Sequence, residues 1–205
     1  MKRIALALLG LLVAFPSSAR AEIKVVATVP DLAALAAELG GKHVSVKSLS
    51  LSTQDPHYVD AKPSLALALN KADLLLVVGL DLEVGWLPTL QTGARNAEIL
   101  TGAAGFLDCS ELITPLDVPA GKVDRSDGDI HPRGNPHYLY DPRAAAQVAK
   151  GIAARLSKLD PGHAEDYAAN LETLLSGLTT AREGWEARMK PAAGADIIAY
   201  HKSFI

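Results

Sequence analysis

The sequence predicts an α/β layered domain, extended by one long helix. Three observations carry this. Strand-type and helix-type hydrophobic patterns alternate from residue 23 to residue 90. Leu74 to Val78 is an unbroken apolar run, as expected of a strand covered on both faces in a parallel sheet. His163 to Lys190 holds one uninterrupted helical pattern.

The elements follow in order. Ile23 to Val29 is a β-rich run ended by Pro30, and Asp31 is positioned to cap the helix after it. Leu32, Leu35, Ala36 and Leu39 recur at helical spacing until Gly40-Gly41 stops them. Val44 to Leu49 reads as a second strand, followed by a polar loop from Ser50 to Lys62. Pro63 suits the first turn of a helix carrying Leu65, Ala68 and Leu69 on one face. After the Leu74–Val78 strand, Trp86 to Leu90 belongs to another helix. Residues 114 to 136 form a long loop rich in Pro, Gly and Asp, a kind of segment that is usually functional or mobile. Asp141-Pro142 opens a helix with Ala145, Val148, Ala149 and Ile152 inward, and Asp160-Pro161-Gly162 breaks it. The long helix then places Tyr167, Leu171, Leu174, Leu175, Leu178 and Trp185 near one stripe. About 28 residues at about 1.5 Å each extend about 40 Å. Asp196 to Tyr200 has strand character.

The chain has 205 residues, 49% hydrophobic and 21% charged, which suits a globular core and excludes disorder as the main state. With 20 basic against 23 acidic residues and 5% aromatics, neither a basic patch nor a base-stacking platform for nucleic acid is indicated. Residues 1 to 21 read as a secretory signal: Lys2 and Arg3 start it, Ile4 to Phe15 is its apolar run, and Ala19-Arg20-Ala21 is its cleavage site. The apolar run is too short to span about 30 Å of hydrocarbon. Cleavage removes three basic residues and takes the formal charge from −3 to −6. No cysteine stands at the cleavage site, so a soluble periplasmic protein without a membrane anchor is expected. Cys109, the only cysteine, lies among Phe106, Leu107 and Leu112 and reads as a buried small hydrophobe.

The chain carries six histidines. His43, at a helix-to-strand turn, and His163, at the start of the long helix, read as solvent-facing. His57, His137 and His201 follow predicted strands or long loops at the edge where open α/β sheets gather ligands. Prolines before His57 and His137 stiffen the backbone that holds them. Neutral imidazole is a zinc ligand near pH 7, although these three are too far apart for a compact motif. His131, six residues before His137, is a candidate accessory metal residue or a solvated loop residue.

These residues carry a resemblance. QDPHYVDAKPS at 54–64, GNPHYLYDP at 134–142 and AYHKSF at 199–204 resemble three motifs of the cluster A-I metal-binding receptors of bacterial ABC importers. The chain departs from the pattern at Val59, Asp60 and Lys62-Pro63, where many members carry glutamate and proline, and at Tyr140, where leucine is commoner.

The resemblance implies two α/β lobes joined by one rigid helix, with a metal in the cleft between them. Residues 22–162 would form the first lobe, 163–190 the linking helix, and 191–205 the start of a second lobe whose remainder lies beyond the sequence. His57 and His137 would be ligands from the first lobe and His201 from the second, with a carboxylate further along as the fourth. Manganese-selective members tend to carry glutamate where His201 stands, so zinc is expected rather than manganese. The implied function is capture of a divalent metal and delivery to an ABC membrane permease by a monomer, without enzymatic chemistry. A secreted zinc hydrolase is the contrasting reading. It would need a general base, and no glutamate adjoins any of the three histidines.

Overall fold

The computed structural model describes residues 22–121, 123, 131–199 and 201–204. The segment expected to be a secretory signal, Asp124, Asp127 and Asp129 of the long loop, and Tyr200 lie outside the described residues.

Four parallel strands form one sheet: β1 (Ile23–Ala27), β2 (Val44–Ser48), β3 (Leu74–Val77) and β4 (Phe106–Asp108). Their order is β2-β1-β3-β4, with Val25 opposite both Val46 and Leu74. Helices α1 (Pro30–Gly40), α2 (Pro63–Asn70) and α3 (Leu87–Ala94) connect the strands. Helices α4 (Pro142–Leu159) and α5 (Ala164–Met189) follow.

Strand alternation explains the three layers. Ile23, Val25, Ala27, Leu74 and Leu76 point to one face, where they pack with Leu32, Leu39, Val148, Ile152 and Tyr167 from α1, α4 and α5. Val26, Leu75 and Val77 point to the other, against Leu69, Leu87 and Leu90 from α2 and α3. All four residues of β3 are buried, as its unbroken apolar run requires.

Strand β4 is not anticipated by periodicity. Its three residues are too few to show a period, and its pairing with Leu75, Leu76 and Val77 defines it. Two expectations are corrected. Helix α1 begins at Pro30, one residue earlier than an Asp31 cap requires; Val29 is the N-cap and no side chain bonds the open amides. Asp31 instead sits in the first turn, where a negative charge suits the helix dipole. The described residues of the predicted Asp196–Tyr200 strand, 196–199, have no strand structure, because no described strand lies alongside to take their backbone hydrogen bonds. Asp141 does cap α4, accepting from Arg143 N at 2.8 Å, with Pro142 as the first helical residue.

His43 and His163 are also corrected. The His43 side chain is only 13% exposed and stacks on His163 with ring centroids 3.8 Å apart. Asp166 pairs with His43 Nε2 at 2.7 Å. Asp160, itself buried, pairs with His163 Nδ1 at 2.7 Å and accepts from the Tyr167 hydroxyl at 2.9 Å. The cluster roots α5 on the sheet and its helices, because burying Asp160 requires partners for its charge. Further along, α5 leaves the lobe, and Trp185 and Met189 are exposed.

Candidate metal centre

The chain order places a topological switch between β1 and β3, and ligand sites of open α/β sheets gather beyond the carboxyl ends of the strands at such a point. Loops leaving this edge bring the histidines together.

His57 is held by the turn that precedes it. Asp55 Oδ1 accepts from the His57 backbone N at 2.9 Å and lies 2.7 Å from its Nδ1. Trp86 Nε1 donates to Pro56 O at 2.9 Å and ties the loop to the start of α3. Burial works against the Asp55 charge, but the hydrogen bonds from His57 outweigh it and hold the carboxyl below its ordinary value. An Asp55 carboxylate on Nδ1–H leaves Nε2 as the lone-pair nitrogen, the arrangement that prepares an imidazole for a metal.

His137 is held in the same way one motif later. Asn135 Oδ1 accepts from its backbone N at 2.9 Å. Tyr138 is buried and donates its hydroxyl to Val78 O at 2.7 Å, which anchors the motif to the end of β3. Gly134, at φ +115°, lets the chain press against Pro115 and Leu116 and form the bond from Asn135 N to Leu116 O at 2.9 Å. A Cβ at Gly134 would come within 2.9 Å of Pro115 Cβ.

His201 is held against the lobe by three contacts. Asn135 Nδ2 donates to Lys202 O at 2.7 Å. Lys202 pairs with Asp117. Phe204 lies on Tyr140 with ring centroids 5.3 Å apart.

The result is convergence. His137 Nε2 and His201 Nε2 are 2.8 Å apart, and the His57 ring lies 5.4 Å from His137 and 5.3 Å from His201. One ligating nitrogen from each of the three lies within 4.8 Å of the others, a group that could hold a metal ion. His131 joins from the other side, with its Nε2 3.1 Å from that of His57. A cavity of about 200 Å³ opens beside His131, His137 and His201. Burial first, then the neighbouring imidazoles of His201, His57 and His131, pulls the His137 ring down to about 4, so it is neutral at pH 7.

Sequence reasoning missed two groups. Asp55 was visible as an acid two residues before the histidine, the spacing of an Asx turn. Glu83 gave no signal. It is buried behind the site, accepting from Thr28 Oγ1 at 2.6 Å, Val78 N at 2.7 Å and Gly79 N at 3.1 Å. It thereby fixes the residue whose carbonyl anchors Tyr138. Cys109 is buried as expected. Burial, with Asp108 and Glu83 nearby, pushes its thiol well above the ordinary value, so it is no nucleophile.

The Asp55 contact gives a direct expectation. Asp55→Ala frees the His57 ring to rotate and should weaken metal binding by about 10–100-fold, the range typical for loss of such a partner. Calorimetric titration measures it, and unchanged affinity would show that the carboxylate does not orient the ring.

A parallel-sheet lobe with imidazoles gathered where its loops leave the sheet has the form of a metal-binding protein. Residues 25–205 match the family described as zinc-uptake complex component A periplasmic, ZnuA, and the chain belongs to that family. It is 26% identical over 219 residues to the high-affinity zinc uptake system protein ZnuA of Paracoccus denitrificans, covering 91% of this chain and 63% of that one. It is 30% identical over 153 residues to the manganese-binding lipoprotein MntA of Bacillus subtilis, covering 75% and 45%. Among solved structures, a ZnuA deletion mutant with zinc bound superposes with a TM-score of 0.75 at 26% identity, covering 89% of this chain and 64% of that one. The chain thus spans less than two thirds of the length of these relatives.

Proposed function

We propose that this protein captures a divalent transition metal outside the cytoplasm, zinc before others, and delivers it to an ABC membrane permease. The observation that carries the reading is the convergence of His57, His137 and His201 within 4.8 Å. The zinc uptake relative supports the metal, and the manganese-binding relative supports the broader class. Imidazole ligands suit zinc, whereas manganese prefers oxygen donors, so the donor set favours zinc. Residues 22–162 act as the first lobe and 163–190 as the strut that leads away from it, with 191–205 leading into a second lobe that would complete the cleft. Among the described residues, Asp55 is hydrogen-bonded on the Nδ1 side of His57, which commits it to orienting that ring.

Titration of the metal-free, full-length protein with Zn²⁺ and Mn²⁺ tests this. One zinc per chain, bound more tightly than manganese, is expected. Tighter manganese would overturn the choice of metal, and no stoichiometric binding of either would overturn the receptor reading.

Acid should oppose binding, because protons compete for imidazole nitrogen. His137 has a further consequence for the metal-free protein. Its folded value of about 4 lies below the ordinary 6.5, so the unfolded chain takes up this proton first as pH falls. Stability therefore drops between about pH 6.5 and about pH 4, by at most about 3 kcal/mol before discounting for the ring's partial exposure. An NMR titration should place the His137 midpoint near 4. A midpoint at the ordinary histidine value would show that the ring is solvated rather than packed among imidazoles.

A further inference from the structure

The three histidine-bearing segments are not held alike. The His57 turn is tied to the start of α3 by Trp86, and the His137 turn is tied to the end of β3 by Tyr138. Residues 201–204 belong to no helix or strand, and Lys202 and Phe204 brace them on the lobe. We infer that these two residues form a clasp, Lys202 on Asp117 and Asn135 and Phe204 on Tyr140, which closes the segment onto the lobe independently of the ion and whose opening sets the rate at which the ion leaves. The inference rests on the receptor reading above and deepens it.

A tight turn shapes the segment. Ser203 N donates to His201 O at 2.8 Å, which puts Lys202 at the apex. The Lys202 carbonyl accepts from Asn135 Nδ2 at 2.7 Å, and its ammonium pairs with Asp117. Asp117 stands at φ +59°, a left-handed conformation that a short polar side chain tolerates. Asn135 is buried and works on both sides: its Oδ1 accepts from His137 N at 2.9 Å while its Nδ2 holds Lys202 O. One amide therefore sets the spacing between the His137 turn and the 201–204 turn. Opening the clasp strips a buried donor of its acceptor, which favours the closed form. Phe204 closes the far end, its ring 5.3 Å from that of Tyr140 and tilted by 43°. Tyr140 is 66% exposed and Phe204 65%, so these rings support each other and not the core. Leucine is commoner at the Tyr140 position among the proteins this chain resembles, so the aromatic pair is a departure of this sequence from that pattern.

An ion leaves only when a ligand opens. His57 and His137 cannot swing away without breaking the bonds that tie their turns to α3 and β3. His201 can, once Lys202 and Phe204 let go. The clasp contacts contain no ligand nitrogen, so they act without the ion. Loss of contacts of this kind is felt in departure more than in encounter.

The test uses the full-length protein and four variants: Tyr140→Ala, Phe204→Ala, the double variant, and Tyr140→Phe. Amide hydrogen exchange of the metal-free proteins, read by mass spectrometry over residues 199–204, reports opening of the clasp. Stopped-flow transfer of bound zinc to a chelator reports release. Each single alanine variant should raise both rates about two- to tenfold, the range expected for an aromatic pair. The double variant should go no further than either single one, because each ring acts through the other. Tyr140→Phe should match wild type. Zinc stoichiometry should stay at one per chain, and unchanged thermal melts check folding. Wild-type exchange and release in both alanine variants would overturn the inference and leave the receptor reading standing. Additive effects in the double variant would also overturn it, since the rings would then act separately. Faster exchange without faster release would overturn the claim that the clasp governs exit. A wild-type protein that binds no zinc would overturn the receptor reading, and the release claim with it.

Discussion

A His137→Ala protein should bind no stoichiometric zinc at concentrations that saturate the wild type. His137 is the hub of the cluster: its Nε2 lies 2.8 Å from that of His201, and its ring neighbours those of His57, His131 and His201. It is also the ring that burial holds neutral, so it meets the ion without first shedding a proton. Removing it leaves His57 and His201 without the ring that stands between them in the chain and beside them in space. A loss of more than about 100-fold is expected, beyond the range seen when only an outer partner of a ligand is removed. The fold should survive. The Asn135 bond to the residue 137 backbone does not involve the imidazole, and the Tyr138 hydroxyl still reaches Val78. Calorimetry and elemental analysis measure the outcome, and one zinc per chain at unchanged affinity would remove His137 from the site.

Replacing Glu83 with leucine should have the largest effect on stability of any single change near the site. Its carboxylate accepts from Thr28 Oγ1, Val78 N and Gly79 N, all at the carboxyl edge of β1 and β3. Leucine matches the bulk but leaves these donors without a partner. Each buried donor so orphaned costs about 1–3 kcal/mol, and a total of about 3 kcal/mol or more is expected. Urea denaturation measures it. Zinc affinity should fall as well, because Val78 carries the carbonyl that seats Tyr138 beside His137. Glu83→Gln keeps one acceptor oxygen and should recover part of both losses. A Glu83→Leu protein as stable as wild type would show that the network contributes nothing. The pH dependence has a definite sign. Burial raises the Glu83 carboxyl above its ordinary value of 4.5, more than its hydrogen bonds lower it. The folded state therefore keeps this proton to higher pH than the unfolded chain, and the associated stability is present below about 4.5 and lost as pH rises through the folded value.

Much of the lobe was legible from residues 23 to 90. Strands β1, β2 and β3 and helices α1, α2 and α3 stand where the periods put them, to within a few residues, because each period reports a local choice of which side chains turn inward. The α5 span, expected from His163 to Lys190, runs from Ala164 to Met189. Strand β4 was not legible, since a three-residue strand is defined by its neighbour and not by its own pattern. His43 looked exposed, because Asp166, the carboxylate that pairs with it 123 residues away, reaches it only once α5 packs on the lobe.

By itself, then, the sequence determined the order of strands and helices, the turns that present the histidines, and the three stretches that carry them. Those are properties of adjacent residues: period, a proline before a histidine, an Asx acceptor two positions earlier. The tertiary structure alone decided that the imidazoles meet. His57 and His131 are 74 residues apart and His137 and His201 are 64, and separations of that size are closed only by the parallel sheet and the packing of α4 and α5 against it. Glu83 belongs to the same category: a buried carboxylate gains its role from donors on two other segments, which no local pattern reveals.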